Sequence, residues 1–416
     1  MTGTDLPIGA HKRAARLRAI VHVLASICIV ATGNSLLTTV VSLRLSDPAI
    51  APDVVQFLLT AFPIGFLAGC LSSRFLVARF GHERTFLAVA LLAAFAAVGY
   101  MLTASSPVWF GLRLLNGFAI AALFVVSESW INLYADEKNR GAYFSLYMLM
   151  TSLATLFAQL LVEVAGPVSP YLFHIVFVVI AAGLLYARLV AGSWPPINLL
   201  PPAAREITPS RHRFGIIKLA LLAPVTVVGV FQAGMTNMNV YTMTPIYAER
   251  VGLSATMAVS LATAFSLGGM LAQAPAGWLS DRMDRRILLL LQGLAAMAFC
   301  AVIAWPGMRP DGLLYGLFFA YGAIALTIYP VAIAFANSQL DSHQMVSASG
   351  GLLFLYSIGN IMTPGVAAGL MEHYAPHALF LLLGTGALLV AAAACVNLLR
   401  RASPANKPFL VSGEQQ

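Results

Sequence analysis

Two ionisable side chains stand deep inside apolar stretches of this sequence. The segment FVVSESWINLYADEKNR (124–140) begins apolar and ends charged, and its Glu128 lies eight residues before Asp136, about 12 Å along a helix. Arg113 lies 15 residues before Glu128, about 22 Å, so the two cannot pair with each other. A charge at membrane depth costs several kcal/mol unless it is paired or hydrated. Each residue is therefore a candidate for coupling chemistry. For Arg113 the alternative is a structural cation bonded to backbone carbonyls.

Uncharged polar side chains form a second set of candidates, on the first, seventh and eleventh of the apolar spans described below. They are Asn34, Thr38, Gln232, Asn237, Asn239, Tyr241, Tyr356 and Asn360. Such groups suit a water-filled cavity, and the alternative for each one is a hydrogen bond between helices. As a set they favour a polar or amphipathic ligand over a simple lipid.

The composition indicates a polytopic membrane protein. Of the 416 residues 59% are apolar and only 10% are charged, whereas soluble domains have about 25% charged residues. The mean hydropathy is +0.84. The net charge of +8 comes from basic residues dispersed in short loops, without a basic face interleaved with aromatics. We therefore expect a lipid bilayer and no nucleic acid among the partners.

Several chemistries have no motif in the sequence. There is no G-x-x-x-x-G-K-[ST] loop for ATP and no H-E-x-x-H or G-x-S-x-G motif for hydrolysis. The cysteines Cys28, Cys70, Cys300 and Cys395 form no C-x-x-C pair. We therefore expect a protein that is not an enzyme, with no ATP, cofactor or metal.

Apolar runs predict twelve spanning helices and an all-α fold. The predicted spans are 19–43, 52–77, 85–104, 107–133, 141–164, 170–192, 217–246, 254–278, 287–305, 311–335, 344–370 and 375–399. The longest segment between them is basic and rich in proline, and it divides the chain into two six-helix bundles. The expected parts are an N-terminal tail (1–18), a first bundle (19–192), a linker (193–216), a second bundle (217–399) and a C-terminal tail (400–416).

The distribution of lysine and arginine predicts the orientation. With both termini in the cytoplasm, all of the 24 basic residues except Arg44, Arg113, Arg250 and Arg309 fall on the cytoplasmic side. This bias sets the orientation of short-loop membrane proteins.

The two predicted bundles repeat each other, as in parallel repeats of six-helix units. The sequence GCLSSR (69–74) at the end of the second span matches GWLSDR (277–282) at the end of the eighth. The spacing of Asn132 and Asp136 recurs in Asn337 and Asp341. We expect two pseudo-symmetric bundles.

These features resemble the major facilitator superfamily (MFS) over nearly the whole chain. GWLSDRMDRR (277–286) resembles the family signature that follows helices two and eight, and RLLNG (113–117) resembles its helix-four arginine motif. SESWINLYADEKNRG, RFGHER and ANSQLDSHQMVSASGGLLFLYSIG resemble the bacterial YcaD-type branch. The resemblance implies that the bundles rock about a central site, driven by a solute or proton gradient.

The resemblance also implies a gate at the cytoplasmic side. Asp281, four residues after the signature residue Gly277, would meet the N-terminus of the fifth helix, and Arg282 and Arg285 would reach Glu128 and Asp136. On the opposite seam Ser73 replaces the acid and Ile333 occupies the position matching Glu128, which leaves Arg74 and Asp341. We expect an ionic latch on one seam only. The alternatives are that these charges merely anchor the loops, or that Glu128 carries a proton.

The expected function is secondary active transport of a small polar or amphipathic solute by alternating access, with protons as a further partner. The alternative from another class is a transporter-like sensor or partner protein that binds a ligand without moving it. A channel fits a closed, repeated two-bundle architecture less well. The expected location is the bacterial inner membrane, as a monomer.

Overall fold

The computed structural model describes residues 8–134, 140–190, 223–305, 311–339 and 342–400. The described residues form eleven helical elements and no strand. The elements are α1 (Ile8–Leu45), α2 (Pro52–Leu102), α3 (Ser106–Tyr134), α4 (Arg140–Ala165), α5 (Leu172–Val190), α6 (Pro224–Arg250), α7 (Ala255–Arg282), α8 (Arg285–Ile303), α9 (Asp311–Gln339), α10 (Ser342–His373) and α11 (Ala378–Arg400). The predicted linker 193–216 lies outside the described residues.

Element α2 contains two of the predicted spans. Gly81 interrupts it with non-helical angles (φ 79°, ψ 169°), a left-handed conformation that glycine adopts without steric cost. The bend separates a first arm (residues 52–80) from a second arm (residues 82–102). The second and third spans are thus joined by a sharp bend instead of the predicted loop. With both arms counted, the described residues contain the twelve expected spanning helices.

Eleven segments of the described chain are long and apolar enough to cross a membrane, and α6 is not among them. Its sequence is rich in threonine, asparagine and methionine, and most of its residues are buried. The reason is its central position, since it packs against α1, α7, α9, α10 and α11. A helix surrounded by protein has no lipid-facing side that must be apolar.

Matching glycine crossings show the repeat in three dimensions. In the first half (α1–α5), a Cβ at Gly65 would overlap the Leu114 carbonyl and one at Gly117 would overlap the Phe62 carbonyl. In the second half (α6–α11), the same crossing of α7 with α9 places Gly268 against the Phe319 carbonyl and Gly322 against the Phe265 carbonyl. Small residues at both crossings let the helix backbones touch. The pairs of matching glycines are therefore Gly65 with Gly268 and Gly117 with Gly322.

This match corrects one sequence prediction. Counted from the matching glycines, Gly81 corresponds to Asp284 and Ala78 corresponds to Asp281, so RFGHER (79–84) is the first-half signature turn. The predicted equivalent GCLSSR lies within the first arm of α2, where Ser73 is buried and its hydroxyl donates to the Gly69 carbonyl. Ser73 therefore does not replace the signature acid. The position is occupied by Ala78, which also has no charge.

Within the described residues the main contacts between the halves are made by α1 with α6, α2 with α10 and α4 with α7. One end of the molecule contains the Gly81 bend and the start of α8, and we call it the basic end. We call the opposite end the far end. The basic end carries Arg79, Arg84, Arg282, Arg285 and Arg286. By the charge rule it is the predicted cytoplasmic side.

Polar contacts between the halves lie at the far end and at mid-depth. Near the far end, Thr263 donates to Glu163 at 3.0 Å, and the Gln56 side chain donates to the Gly365 carbonyl at 3.4 Å. At mid-depth, the Gln273 amide donates to the Ser152 hydroxyl at 2.7 Å.

Candidate functional site

Glu128 projects from α3 toward the interface between the halves. It lies six residues before Tyr134, the last residue of α3, hence about 9 Å from that helix end. The hydroxyl of Tyr147, which is buried on α4, donates a hydrogen bond to the carboxylate. Glu128 itself is half-buried. It thus combines a fixed hydrogen-bond donor with partial access to water.

The second half presents aromatic and amide groups opposite this carboxylate. Tyr329 on α9 is within electrostatic range of Glu128, and its ring lies 5.3 Å from that of Tyr356 on α10. The Asn237 amide on α6 donates to the Tyr356 hydroxyl at 2.6 Å. We call Glu128, Tyr147, Tyr329, Tyr356 and Asn237 the interfacial polar cluster. Both halves contribute to it, and all its members except Tyr147 are half-buried.

The predicted cavity residues divide into two groups. Asn34, Gln232 and Asn239 are buried within their own half. The Asn34 carbonyl accepts from the Asn116 amide, Gln232 donates to the Leu383 carbonyl, and Asn239 donates to the Thr363 hydroxyl. These are bonds between helices, the alternative that the sequence left open.

Of the remaining candidates, Tyr356, Asn360 and Tyr241 lie at or near the cluster. Tyr356 bonds Asn360 as well as Asn237. The Tyr241 hydroxyl is 2.8 Å from the Ser266 hydroxyl, and both side chains belong to the second half. Thr38 is half-buried and donates to the Asn34 backbone carbonyl at 3.1 Å.

Arg113 lies inside the first half, away from this cluster. Its side chain is 3% exposed, and its Nε and Nη2 atoms have no hydrogen-bond partner among the described residues. The alternative predicted for Arg113 was a structural cation bonded to backbone carbonyls. Neither of these two atoms has such a carbonyl partner among the described residues. Tyr100 is within electrostatic range of the guanidinium.

The predicted gate residues of the second half bond within that half. Asp281 is 77% exposed and pairs at 3.4 Å with Arg285, which also donates to the Ala334 carbonyl at 3.2 Å. The Arg282 guanidinium stacks 3.8 Å from the centre of the Trp278 ring. A Cβ at Gly277 would meet open space.

The predicted latch on Glu128 is not formed among the described residues. Glu128 is bonded to Tyr147 and has no ion pair with Arg282 or Arg285, and Asp281 pairs with Arg285 of its own half. The predicted partners Asp136 and Asp341 lie outside the described residues, as does the side chain of Arg74.

Asp284 organises the turn between α7 and α8. Its carboxylate accepts from the Arg286 backbone N–H at 2.9 Å and so caps α8, and it pairs with the Arg286 guanidinium at 2.6 Å. The hydrogen bond from the Arg286 side chain holds the pKa of Asp284 below its ordinary value.

Sequence reasoning missed Tyr147, Tyr329 and the Ser152–Gln273 bridge. Tyrosine is ordinary in apolar helices, so Tyr147 and Tyr329 stand out only once the fold places them around Glu128. A usable signal was the pair Tyr329–Pro330, because proline inside a span frees a backbone carbonyl. Among the described residues no group of three or more His, Cys, Asp or Glu side chains could hold a metal ion.

Comparison with known proteins defines the class. The family model of the Major Facilitator Superfamily matches residues 23–260 and again residues 226–415. The chain belongs to this superfamily. With its two six-helix bundles it is a multi-pass membrane transporter, and it is not an enzyme.

Among curated proteins the chain is similar to the uncharacterized MFS-type transporter YcaD. It is 27% identical to the protein of Salmonella newport (strain SL254) over 377 residues, which are 88% of this chain and 93% of the relative. The YcaD of Salmonella typhimurium matches with the same identity and coverage. The resemblance to the YcaD-type branch is thereby confirmed.

Three solved structures share the fold. The nucleoside transporter NupG has a TM-score of 0.68 at 14% identity and covers 92% of this chain and 99% of its own. A D-xylose-proton symporter has a TM-score of 0.69 at 16% identity, with 90% and 96% covered. A bacterial homolog to the human lysosomal transporter Spinster, in an inward-facing and unoccupied conformation, has a TM-score of 0.72 at 14% identity, with 94% and 99% covered.

Proposed function

We propose that this transporter moves a small polar or amphipathic solute by alternating access, driven by a proton gradient. The observation that carries the proposal is the interfacial polar cluster. It joins a carboxylate and a tyrosine of the first half to two tyrosines and an asparagine of the second. A solute bound there would contact both halves, so that a rocking motion would transfer it from one side to the other.

The distribution of contacts supports the rocking motion. Within the described residues three helix pairs make the main contacts between the halves, and the polar bonds described between them lie at mid-depth or toward the far end. At the basic end, Trp278 and Asp281 near the end of α7 are exposed. With the basic end in the cytoplasm, this arrangement corresponds to an inward-open state.

Glu128 is the proposed proton carrier. A carboxylate that transfers protons needs access to water in at least one state and a neutral hydrogen-bond partner when protonated. Glu128 is half-buried and is bonded to the Tyr147 hydroxyl, which can donate to the ionised form and accept from the protonated one. The likeness to a D-xylose-proton symporter supports protons as the driving ion.

The chemistry of the cluster limits the solute. Tyrosine rings offer flat apolar faces, and their hydroxyls and the Asn237 amide offer hydrogen bonds. A polar ring compound satisfies both. Two structural relatives are a nucleoside transporter and a D-xylose-proton symporter, which makes nucleosides and sugars the first compounds to test.

The ionic gate stays a prediction for a state closed at the basic end. Among the described residues Asp281 pairs with Arg285 and the Arg282 guanidinium stacks on Trp278, so both side chains would be available to the first half when the halves approach there. We also keep as predictions the inner-membrane location, the cytoplasmic termini, the domain limits and the monomeric state.

Counterflow tests the proposal. Purified protein is first screened for solutes that raise its unfolding temperature, because a ligand stabilises the state that it binds. The strongest binder is loaded into proteoliposomes, and uptake of labelled solute against an equal unlabelled pool is measured with and without a pH gradient. Exchange accelerated by the gradient is the expected result. Binding without exchange would favour the sensor alternative and contradict transport.

A further inference from the structure

Arg113 presents an unsatisfied pair of donors to a dry interior. The orphaned atoms Nε and Nη2 form one edge of the guanidinium, from which two N–H bonds point in parallel. This edge fits a small anion or the two oxygens of a carboxylate. Because the side chain is only 3% exposed, bulk water does not satisfy these donors.

No described acid compensates this charge. Within the described residues the only ionisable group in electrostatic range of Arg113 is Tyr100, a neutral phenol at physiological pH. Glu128 is on the same helix but about 22 Å away along its axis. A water molecule could accept one or two hydrogen bonds, yet it would leave the positive charge uncompensated in a medium of low dielectric constant.

Further polar groups surround the guanidinium. Asn116 lies one turn from Arg113 on α3, and its amide donates to the Asn34 carbonyl at 3.2 Å, while its own carbonyl oxygen has no partner among the described residues. The two asparagines are also buried. Unpartnered donors and an unpartnered acceptor one helical turn apart indicate a binding site for a polar species such as a hydrated anion, whose water would donate to the Asn116 oxygen.

A cleft at the far end offers a route to this site. Its volume is about 480 Å³, and Arg44, Tyr100 and Trp109 are among its lining residues. Trp109 lies one helical turn before Arg113, and its ring packs edge-on against Tyr100 at 5.2 Å. Phe173 stacks on Tyr100 at 5.6 Å and lies edge-on to Trp109 at 6.0 Å. All three rings line the cleft, and Tyr100 is within electrostatic range of the guanidinium, so motion of these side chains would admit an ion of a few atoms and exclude a larger solute.

We propose that Arg113, beside Asn116 and Asn34, binds a small hydrated monovalent anion inside the first half. The anion bonds the Nε–Nη2 edge and neutralises the guanidinium, and it stays in place while the solute moves through the interface. The chemistry fits a free ion such as chloride and also a carboxylate group, which the experiment distinguishes. The site is independent of the interfacial polar cluster, so either proposal can fail without the other.

Thermal unfolding of the purified full-length protein tests the site. At constant ionic strength, gluconate is exchanged for chloride, bromide, nitrate or formate. We expect a saturable rise in the unfolding temperature of about 3 °C or more with the small anions. A rise with chloride and bromide indicates a free ion. A rise with formate and longer carboxylates but not with chloride indicates a carboxylate-bearing ligand.

Three variants separate a specific site from a general salt effect. Arg113→Gln removes the charge and is expected to abolish the anion-dependent rise. Asn116→Asp supplies a carboxylate three residues along the same helix and is expected to keep the fold while removing the need for the anion. Arg250→Gln is the control, because Arg250 already pairs with Glu372 at 2.9 Å, and it should keep the full rise.

The outcomes are decisive in both directions. Bromide anomalous scattering within hydrogen-bond distance of Arg113 Nε and Nη2 would support the site directly. An equal anion-dependent rise in Arg113→Gln and the unaltered protein would overturn it. So would the absence of any rise in the unaltered protein, since water alone would then satisfy the guanidinium.

Discussion

The two halves of this transporter share one architecture but differ in charge at matching positions. From the match of Gly117 with Gly322, Arg113 corresponds to Phe318 and Glu128 to Ile333. The first half thus holds both deep ionisable groups, whereas the second half supplies the neutral Tyr329, Tyr356 and Asn237 to the interface. The difference indicates a division of labour. One half would respond to protons and ions, and the other would recognise the solute by shape and hydrogen bonds.

The largest effect is expected when the acid is removed from the first half. In Glu128→Gln the interfacial polar cluster keeps its shape but loses its titratable group. Transport driven by a pH gradient should fall at least about tenfold, a change of about 1.4 kcal/mol, while counterflow continues. Uptake and counterflow in proteoliposomes measure the two activities.

Ile333→Gln is the matched control for this substitution. It introduces the same amide at the equivalent position of α9, and we expect the response to a pH gradient to persist. If Ile333→Gln abolished the response as Glu128→Gln does, the proposed division between the halves would be refuted.

The two signature turns provide the next comparison. The first half bends at Gly81 with a left-handed φ of 79°, and the His82 ring bonds the Ser129 hydroxyl at 2.9 Å. The second half makes the same turn with the Asp284 cap and the Asp284–Arg286 pair. One turn therefore depends on backbone freedom and the other on ionic bonds.

Gly81→Ala should destabilise the protein by about 1–2 kcal/mol, because an L-residue is strained at this φ. A Cβ there would meet no other atom, so the backbone angle is the only cost. Gly111→Ala is the control, since Gly111 also has open space but lies within regular helix, and it should be neutral or slightly stabilising. Thermal unfolding in detergent measures both. Equal stability of the two variants would contradict the stated role of Gly81.

A smaller effect is expected for the hydroxyl that bonds the acid. Tyr147→Phe removes one hydrogen bond to Glu128, a loss of about 1 kcal/mol, or roughly fivefold. The pH at which gradient-driven uptake is half-maximal should shift, because the ionised form of Glu128 loses its donor. Tyr329→Phe, whose hydroxyl lies across the interface, is expected to alter solute affinity and to leave this pH unchanged. If instead Tyr329→Phe shifted this pH and Tyr147→Phe altered solute affinity, the roles proposed for the two tyrosines would be wrong.

The smallest effect concerns the ionic turn and depends on pH. The lowered pKa of Asp284 means that the folded state favours its ionised form. Its contribution is present above the pKa of the unfolded chain, about 3.9, and is lost as the pH falls through the lower folded value. At pH 7, Asp284→Asn should therefore cost about 1 kcal/mol or less, since asparagine also caps helices. The difference in unfolding temperature between the two proteins should start to shrink as the pH falls toward about 3.9 and should keep shrinking below it; a difference that stays constant with pH would contradict the assignment.

The fold could be predicted from the sequence because its physical signals are long and repeated. Apolar runs defined the spans, and the lysine and arginine bias defined the two ends of the molecule. The prediction that Ser73 matches Asp281 failed for a specific reason. The sequences GCLSSR and GWLSDR are similar, but the positions that correspond between the halves are set by where the helix backbones touch. The contacts of Gly65 and Gly268 fix that register, and they become visible only in three dimensions.

The candidate site was predictable only in part. Glu128 stood out because charge in an apolar run is expensive, and this signal needs no fold. Its partner was not predictable, because arginine and tyrosine were both compatible with the sequence and only the packing of α4 against α3 places Tyr147 there. Asn34 and Gln232 failed as cavity residues for the same reason, since an amide in an apolar helix serves a helix contact as readily as a solute.

The most direct test of the account is whether the two ends of the molecule open reciprocally. In a background without the native cysteines, spin labels are placed on exposed positions that match between the halves, at Arg84 and Ile287 for the basic end and at Asp53 and Thr256 for the far end. Electron–electron distance measurements are then made with and without a bound solute and across pH. Alternating access predicts two populations at each end, with the basic-end distance shortening as the far-end distance lengthens. Single distances that stay fixed at both ends under every condition would contradict it.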